Sequence, residues 1–194
     1  MNFLSLASDE KVTSILPMQK SVKAAEGLSL LMVTKNGIGK KTAAKGFHDV
    51  RRSGLIAIKL KSGDELVSAS FVEKGDEAIL VTKKGQSIRF KESDIREMGR
   101  GAGGVKAMRL RKGDMVVGTG IVQRSPASAS TSAKATADKK ATAGEAELLV
   151  IMQNGYGKKT KLKEYKTQKR GGSGVKTAKI TSKTGELIAA HIVI

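Results

Sequence analysis

The sequence contains no cysteine and no tryptophan, and aromatic residues make up only 3% of its 194 positions. Without cysteine there are no disulfides and no thiolate metal sites, which fits an intracellular chain. So few rings also weigh against a single-stranded nucleic-acid partner, because that mode of binding stacks bases on aromatic side chains. Long apolar runs are missing too. No stretch approaches the roughly eighteen consecutive apolar residues of a membrane-spanning helix. The opening "MNFLSLASDEKV" lacks the basic start and extended apolar core of a secretory signal. Negative charge is scarce: 18 Asp and Glu face 36 Lys and Arg, for a formal net charge of +18. Such an excess points to a polyanionic partner, whether nucleic acid, anionic membrane or acidic protein. The cations are spread along the chain instead of lining one helix face, which disfavours a membrane-surface anchor. What remains is a cytoplasmic chain with 39% hydrophobic residues, enough for a real core, and nucleic acid as the leading partner class.

Catalytic constellations are absent as well. There is no Ser-His-Asp arrangement, no HExxH and no Walker A loop, and "GRGAGG" (Gly99 to Gly104) is not followed by the Gly-Lys-Ser/Thr of a nucleotide site. His48 and His191 lie far apart and read as structural. The expectation is a chain that by itself is not an enzyme and needs no metal or cofactor.

What is present is a repeat. Three copies of one unit begin at "LLMVTKNGIGKKT", "AILVTKKGQSIRF" and "LLVIMQNGYGKKT". From the turn glycine to the basic residue of a later Gly-rich loop, the steps Gly37 to Arg52, Gly85 to Arg100 and Gly155 to Arg170 are each 15 positions. Each unit opens with a short apolar run closed by a turn dipeptide, Asn36-Gly37, Lys84-Gly85 or Asn154-Gly155, which predicts a hairpin. A cation-bearing strand follows, then the Gly-rich loop and an alternating strand ("LIAIKL", "VKAMRL", "VKTAKI"). A turn carrying Asp64, Asp114 or Glu186 precedes the last strand, and turn formation accounts for those acids. Gly85, Gly104, Gly113 and Gly172 are expected to supply positive φ. Four strands in so few residues is the anatomy of a propeller blade. The predicted organisation is the back half of a blade and a linker at 1–29, blades at 30–76, 77–123 and 147–194, and a low-complexity Ala/Ser/Thr/Lys insertion at 124–146. The fold class is all-β, with about three and a half blades of an array that reads as longer.

The strings "VTKNGIGKKT…RRSGLIAIKLKSGDELV", "SIRFKESDIREMGRGAGGV" and "MQNGYGKKTKLKEYKTQKRGGSGV" resemble the C-terminal domain of the DNA gyrase A subunit, with the topoisomerase IV A-subunit domain as a relative. That resemblance implies a β-pinwheel, a six-bladed relative of the propeller that exchanges strands between neighbours and wraps double-stranded DNA on a basic rim. It implies a bacterial, nucleoid-associated setting, with the rest of the A subunit and the ATPase B subunit as partners in an ATP-dependent supercoiling enzyme. The DNA-cleaving tyrosine of such a subunit belongs to its N-terminal part, so neither Tyr156 nor Tyr165 is a candidate nucleophile. The defining box of that domain has the form Gln-Arg-Arg-Gly-Gly-Lys/Arg-Gly. Here Gln168, Lys169, Arg170, Gly171, Gly172, Ser173 and Gly174 form a degenerate copy in which Ser173 removes a cation.

The expected phosphate contacts are the loop cations Arg51, Arg52, Arg100, Lys169 and Arg170, and the strand cations Lys40, Lys41, Arg89, Lys158 and Lys159. Lys and Arg that neutralise phosphates release condensed counterions, so binding of this kind reads charge and deformability, not sequence. Exposed strand lysines also protect sheet edges, a second use open to Lys40, Lys41, Lys158 and Lys159. A propeller-type adaptor for an acidic protein is the alternative of another class.

Overall fold

The computed structural model describes residues 12–17, 27–47, 54–123 and 146–193. Arg51, Arg52, His48 and, apart from Ala146, the insertion lie outside them. The strands in chain order are β1 (Ser29–Thr34), β2 (Ile38–Ala43), β3 (Leu66–Val72), β4 (Glu77–Thr82), β5 (Gln86–Lys91), β6 (Val105–Lys106), β7 (Val116–Val122), β8 (Glu147–Met152), β9 (Gly157–Lys161), β10 (Thr167–Gln168), β11 (Val175–Lys176) and β12 (Leu187–Val193). They form three sheets, one built around each of β1, β4 and β8.

The apolar runs become the central strands. β1 is buried at every position, since it pairs with β2 on one edge and β3 on the other and is covered on both faces. In β4 the period of two sorts the side chains: Ala78 and Leu80 enter the core shared with the first sheet, whereas Ile79 and Val81 enter the core shared with the third. The hydrophobic core thus lies between adjacent sheets. The glycines closing the three hairpins, Gly37, Gly85 and Gly155, have φ of 76°, 81° and 83°.

The alternating segments after the second and third Gly-rich loops do not join their own unit's sheet, which corrects the reading of four strands contributed by one unit. β6 pairs with β2 through Ile38↔Lys106 and Gly39↔Val105. β11 pairs with β5 through Val175↔Ser87 and Lys176↔Gln86. β10, which leads into the box-like loop, runs parallel to the same β5. Alternation in a sequence specifies extended backbone but not the strand it will meet. Only two residues each of "VKAMRL" and "VKTAKI" are paired, "LIAIKL" (residues 55–60) forms no strand, and the loops reverse through positive φ at Gly104, Gly171 and Gly174. Gly172, expected in that role, does not have it.

The turn acids clasp one hairpin to the next. The Thr34 hydroxyl donates to Asp64 Oδ2 at 2.7 Å, and the Asn36 amide to Asp64 Oδ1 at 2.9 Å. The second sheet repeats this with Thr82 and the Lys84 amide on Asp114, at 2.8 and 2.9 Å. In the third sheet the contact is reversed, the Asn154 side-chain amide donating to the carbonyls of Ser182 and Lys183. Hydrogen bonds to a charged acceptor contribute about 1.5–3 kcal/mol. Asp114→Ala is therefore expected to lower unfolding stability by about that amount, read as a shift of the urea midpoint, with a similar loss for Asp64→Ala.

Candidate nucleic-acid interface

The outer edge of each sheet is where the cations gather, and the structure divides them into two groups. Lys40, Lys41 and Arg89 are turned inward, which removes them from the expected set of free phosphate ligands. Lys40 is fully buried; its Nζ donates to the carbonyls of Ala57, at 2.6 Å, and Arg100. Burial lowers its pKa below the ordinary 10.5. Lys41 pairs with the buried Glu92. Arg89 pairs with Glu77 on the adjoining strand and donates to the Leu162 carbonyl of the third unit at 2.9 Å. These charges join one unit to the next because the exchanged segment of the following unit has closed over them.

Lys40→Met should leave two carbonyls without their donor, at a cost of about 1–3 kcal/mol each. The pH dependence has a definite sign. With the folded pKa depressed, the unfolded chain holds more protons at alkaline pH. Native stability relative to Lys40→Met should therefore rise as pH climbs toward 10.5, a trend that denaturation at a series of pH values would show.

The second group faces outward. Arg100 is exposed beside Lys45 at a shallow cleft. Lys158 is exposed with its Nζ on the Thr177 carbonyl at 3.2 Å. The side chain of Lys159 is 58% exposed and pairs with Glu147 at 2.7 Å. That of Lys169 is 91% exposed, with Asp94 at 3.2 Å. Exposed ion pairs are weak and readily exchanged for another anion. Arg170 serves two purposes: its Nε and Nη1 donate to the carbonyls of Asp94 and Lys106, at 2.6 and 3.0 Å, while the residue stays exposed. The box-like loop is thus anchored on the second unit, helped by the Gly171 amide on the Ala107 carbonyl and the Arg109 amide on the Gly172 carbonyl. Gln168 is paired within β10, and Ser173 is exposed.

Several exposed cations escaped the sequence reading. Lys106 and Arg109 follow one Gly-rich loop, and Lys176 and Lys179 hold the matching places after the next. Arg96 and Lys166 form a third repeated pair. The signal was available, for each pair is 70 positions apart, the same step that relates Gly85 to Gly155. Tyr165 is buried in the core beside Leu162, and Tyr156 lies with its ring centroid 5.7 Å from Lys183 Nζ. Among the described residues no cluster of His, Asp or Glu could hold a metal, and no helix is long and apolar enough to cross a membrane.

Residues 29–73, 76–123 and 146–194 match the family described as DNA gyrase C-terminal domain, beta-propeller. The chain is 37% identical over 190 residues to the DNA gyrase A subunit of Escherichia coli (strain K12), and 35% identical over 188 residues to that of Staphylococcus epidermidis (strain ATCC 12228 / FDA PCI 1200). These alignments cover 98% and 97% of the chain but only 19% of each relative. Its backbone is similar to a crystal structure of the C-terminal domain of DNA topoisomerase IV, with TM-score 0.81, 25% identity and coverage of 98% of this chain and 53% of that one. It is also similar to a DNA gyrase A C-terminal domain, with TM-score 0.71, 26% identity and coverage of 97% and 59%. With sheets that exchange strands and a repeated cationic outer edge, the chain belongs to the DNA gyrase C-terminal domain family.

Proposed function

We propose that this chain is a non-catalytic part of a gyrase A subunit, and that it binds and bends duplex DNA along the outer edges of its sheets. The observation that carries this reading is the recurrence of exposed cations at matching places in successive units, in a chain of net charge +18. The second and third units offer phosphates the same grip, displaced by one sheet. Bending a duplex by 40–90° over 20–30 base pairs costs on the order of 1–6 kcal/mol, and repeated phosphate contacts can offset that cost. With the rest of the A subunit and the ATPase B subunit, the bent segment would serve negative supercoiling. A bacterial nucleoid is the corresponding location.

The backbone similarity to topoisomerase IV supports a second reading, in which the rim selects DNA geometry without wrapping. One experiment separates them. Relaxed closed-circular plasmid is mixed with the protein and relaxed again by a type I topoisomerase. The protein is then removed and the linking number read on a gel. A positive shift that grows with protein is the expected result for wrapping. Retardation without a shift would favour the geometry selector. No binding at low salt would overturn both and bring forward an acidic protein partner.

A further inference from the structure

Three segments meet beneath the Gly-rich loop of the second unit, and one buried cation lies between them. Lys40, on β2, is fully buried, and its Nζ donates to the Ala57 carbonyl at 2.6 Å and to the Arg100 carbonyl. Backbone bonds fasten the flanks of the loop. The Met98 amide donates to the Lys41 carbonyl at 2.8 Å, the Ala102 amide to the Gly99 carbonyl at 3.1 Å, and the Lys59 amide to the Ala102 carbonyl at 3.2 Å. Lys40 thus holds the turn at Arg100 itself. With its backbone held from below, Arg100 is exposed, and a Cβ on Gly46 would stand 3.9 Å from its Cγ. Among the described residues its guanidinium has neither a hydrogen bond nor an ion pair. Glu97 lines the same cleft, but its Oε2 accepts from the Ser29 hydroxyl at 3.1 Å.

The joint between the second and third units uses the same places with different residues. The step of 48 positions from Gly37 to Gly85 carries Lys40 to Ile88, and the step of 70 from Gly85 to Gly155 carries Arg100 to Arg170. Ile88 is fully buried like Lys40 but has no donor, and a Cβ on Gly172 would stand 3.5 Å from its Cδ1, so the underside of this loop is apolar. Here the loop arginine does the holding. Arg170 Nε donates to the Asp94 carbonyl at 2.6 Å and Nη1 to the Lys106 carbonyl at 3.0 Å, while Lys169 pairs with the Asp94 carboxylate at 3.2 Å. The matching place to Asp94 in the first unit is Gly46, 48 positions earlier, which offers no carboxylate.

We propose that Lys40 is a positioning residue for phosphate binding: by carrying the turn at Arg100 from beneath, it leaves the Arg100 guanidinium free for a phosphate of the duplex, whereas Arg170, set over Ile88, must hold its own loop. This rests on the reading that the chain binds duplex DNA, and it assigns unequal duties to two arginines that occupy the same place in the repeat. A guanidinium presents five N–H donors in a planar fork that suits two phosphate oxygens at once. Arg100 has the whole fork available. Arg170 has committed two of its donors to carbonyls. Lys40 itself touches no phosphate, because its ammonium lies in the core and its stem contributes to the floor on which Gly104 rests, a Cβ there standing 3.2 Å from Lys40 Cβ.

The test combines duplex binding by fluorescence anisotropy across a salt series with amide hydrogen exchange of the DNA-free chain. Arg100→Ala should flatten the slope of log affinity against log salt by about one and leave the urea midpoint where it was. Lys40→Met should flatten the slope by about one as well, and the double variant by about one, not two. A lysine that only filled the core would lower stability and leave the slope alone. Without DNA, Lys40→Met should speed exchange at the Met98 and Ala102 amides and leave the Gly171 amide of the other loop unchanged. Lys40→Gln keeps a donor in the core and provides a second variant with the same sign expected in both readouts. Arg170→Ala should lower the urea midpoint, since its guanidinium fastens the loop. A normal native slope that the Lys40 variants leave unchanged, losses that add in the double variant, or equal urea shifts for Arg100→Ala and Arg170→Ala would each overturn the inference and leave the DNA reading standing. A native chain with no salt-dependent affinity for duplexes would overturn that reading, and the phosphate role of Arg100 with it.

Discussion

Gly174→Ala is expected to detach the third unit from the second sheet, at a cost of about 3–5 kcal/mol, at the high end for single substitutions. Two effects combine. At φ of 73° an alanine is disfavoured by about 1–2 kcal/mol whatever surrounds it. The added Cβ would also stand 2.7 Å from the Ser87 carbonyl carbon and closer still to its oxygen. That carbonyl belongs to the strand on which β11 is laid, with Val175 opposite Ser87, so it cannot retreat without breaking the pairing. The Thr177 hydroxyl bonded to Ser87 Oγ at 2.5 Å and the buried Ala178 would be lost with it. Gly54→Ala is the internal control. Its φ of 74° is nearly the same, but its Cβ would meet nothing within 4 Å, so only the conformational cost of about 1–2 kcal/mol applies. Urea denaturation of the two variants measures the difference directly. Equal losses would mean that the strand exchange at Gly174 adds no stability beyond its backbone conformation.

The same contrast explains what could be read from the sequence. The turn glycines Gly37, Gly85 and Gly155 are legible in the sequence, and the apolar runs before them became β1, β4 and β8 because a central strand buried on both faces needs no partner information to be recognised. Partner choice was another matter. "VKAMRL" and "VKTAKI" alternate as any half-buried strand does, and nothing in the alternation says that Val105 will face Gly39 or that Val175 will face Ser87. The cations failed for the same reason. Lys40 and Lys158 both stand in the string "GKKT", yet one is buried and the other exposed. The difference is whether the next unit's segment lies on top, a long-range fact that local composition does not encode. Conversely, Lys106 and Lys176 looked like ordinary strand residues, and their place on an exchanged edge brings them to the surface.

The division of the cations into outward and inward groups should appear in how DNA binding responds to salt. A protein that neutralises about 6–10 phosphates loses roughly 10³–10⁵-fold in affinity between 50 and 200 mM salt, and a fall of that size is expected here with duplexes of unrelated sequence. Fluorescence anisotropy of a labelled duplex across a salt series gives the slope of log affinity against log salt. Each outward cation that touches a phosphate contributes about one unit to it. Lys106→Ala and Lys176→Ala should therefore each flatten the slope by about one, with little change in folding stability, since both side chains are exposed. Arg89→Met should do the reverse. Its guanidinium is committed to Glu77 and the Leu162 carbonyl, so removal loosens the joint between units while the slope stays as it was. If Arg89→Met flattens the slope as much as Lys106→Ala, the pair with Glu77 opens to DNA and the inward group must be counted as part of the rim. If neither outward substitution changes the slope, the duplex does not run along the exchanged strands, and the loops around Arg100 and Lys169 are left as its path.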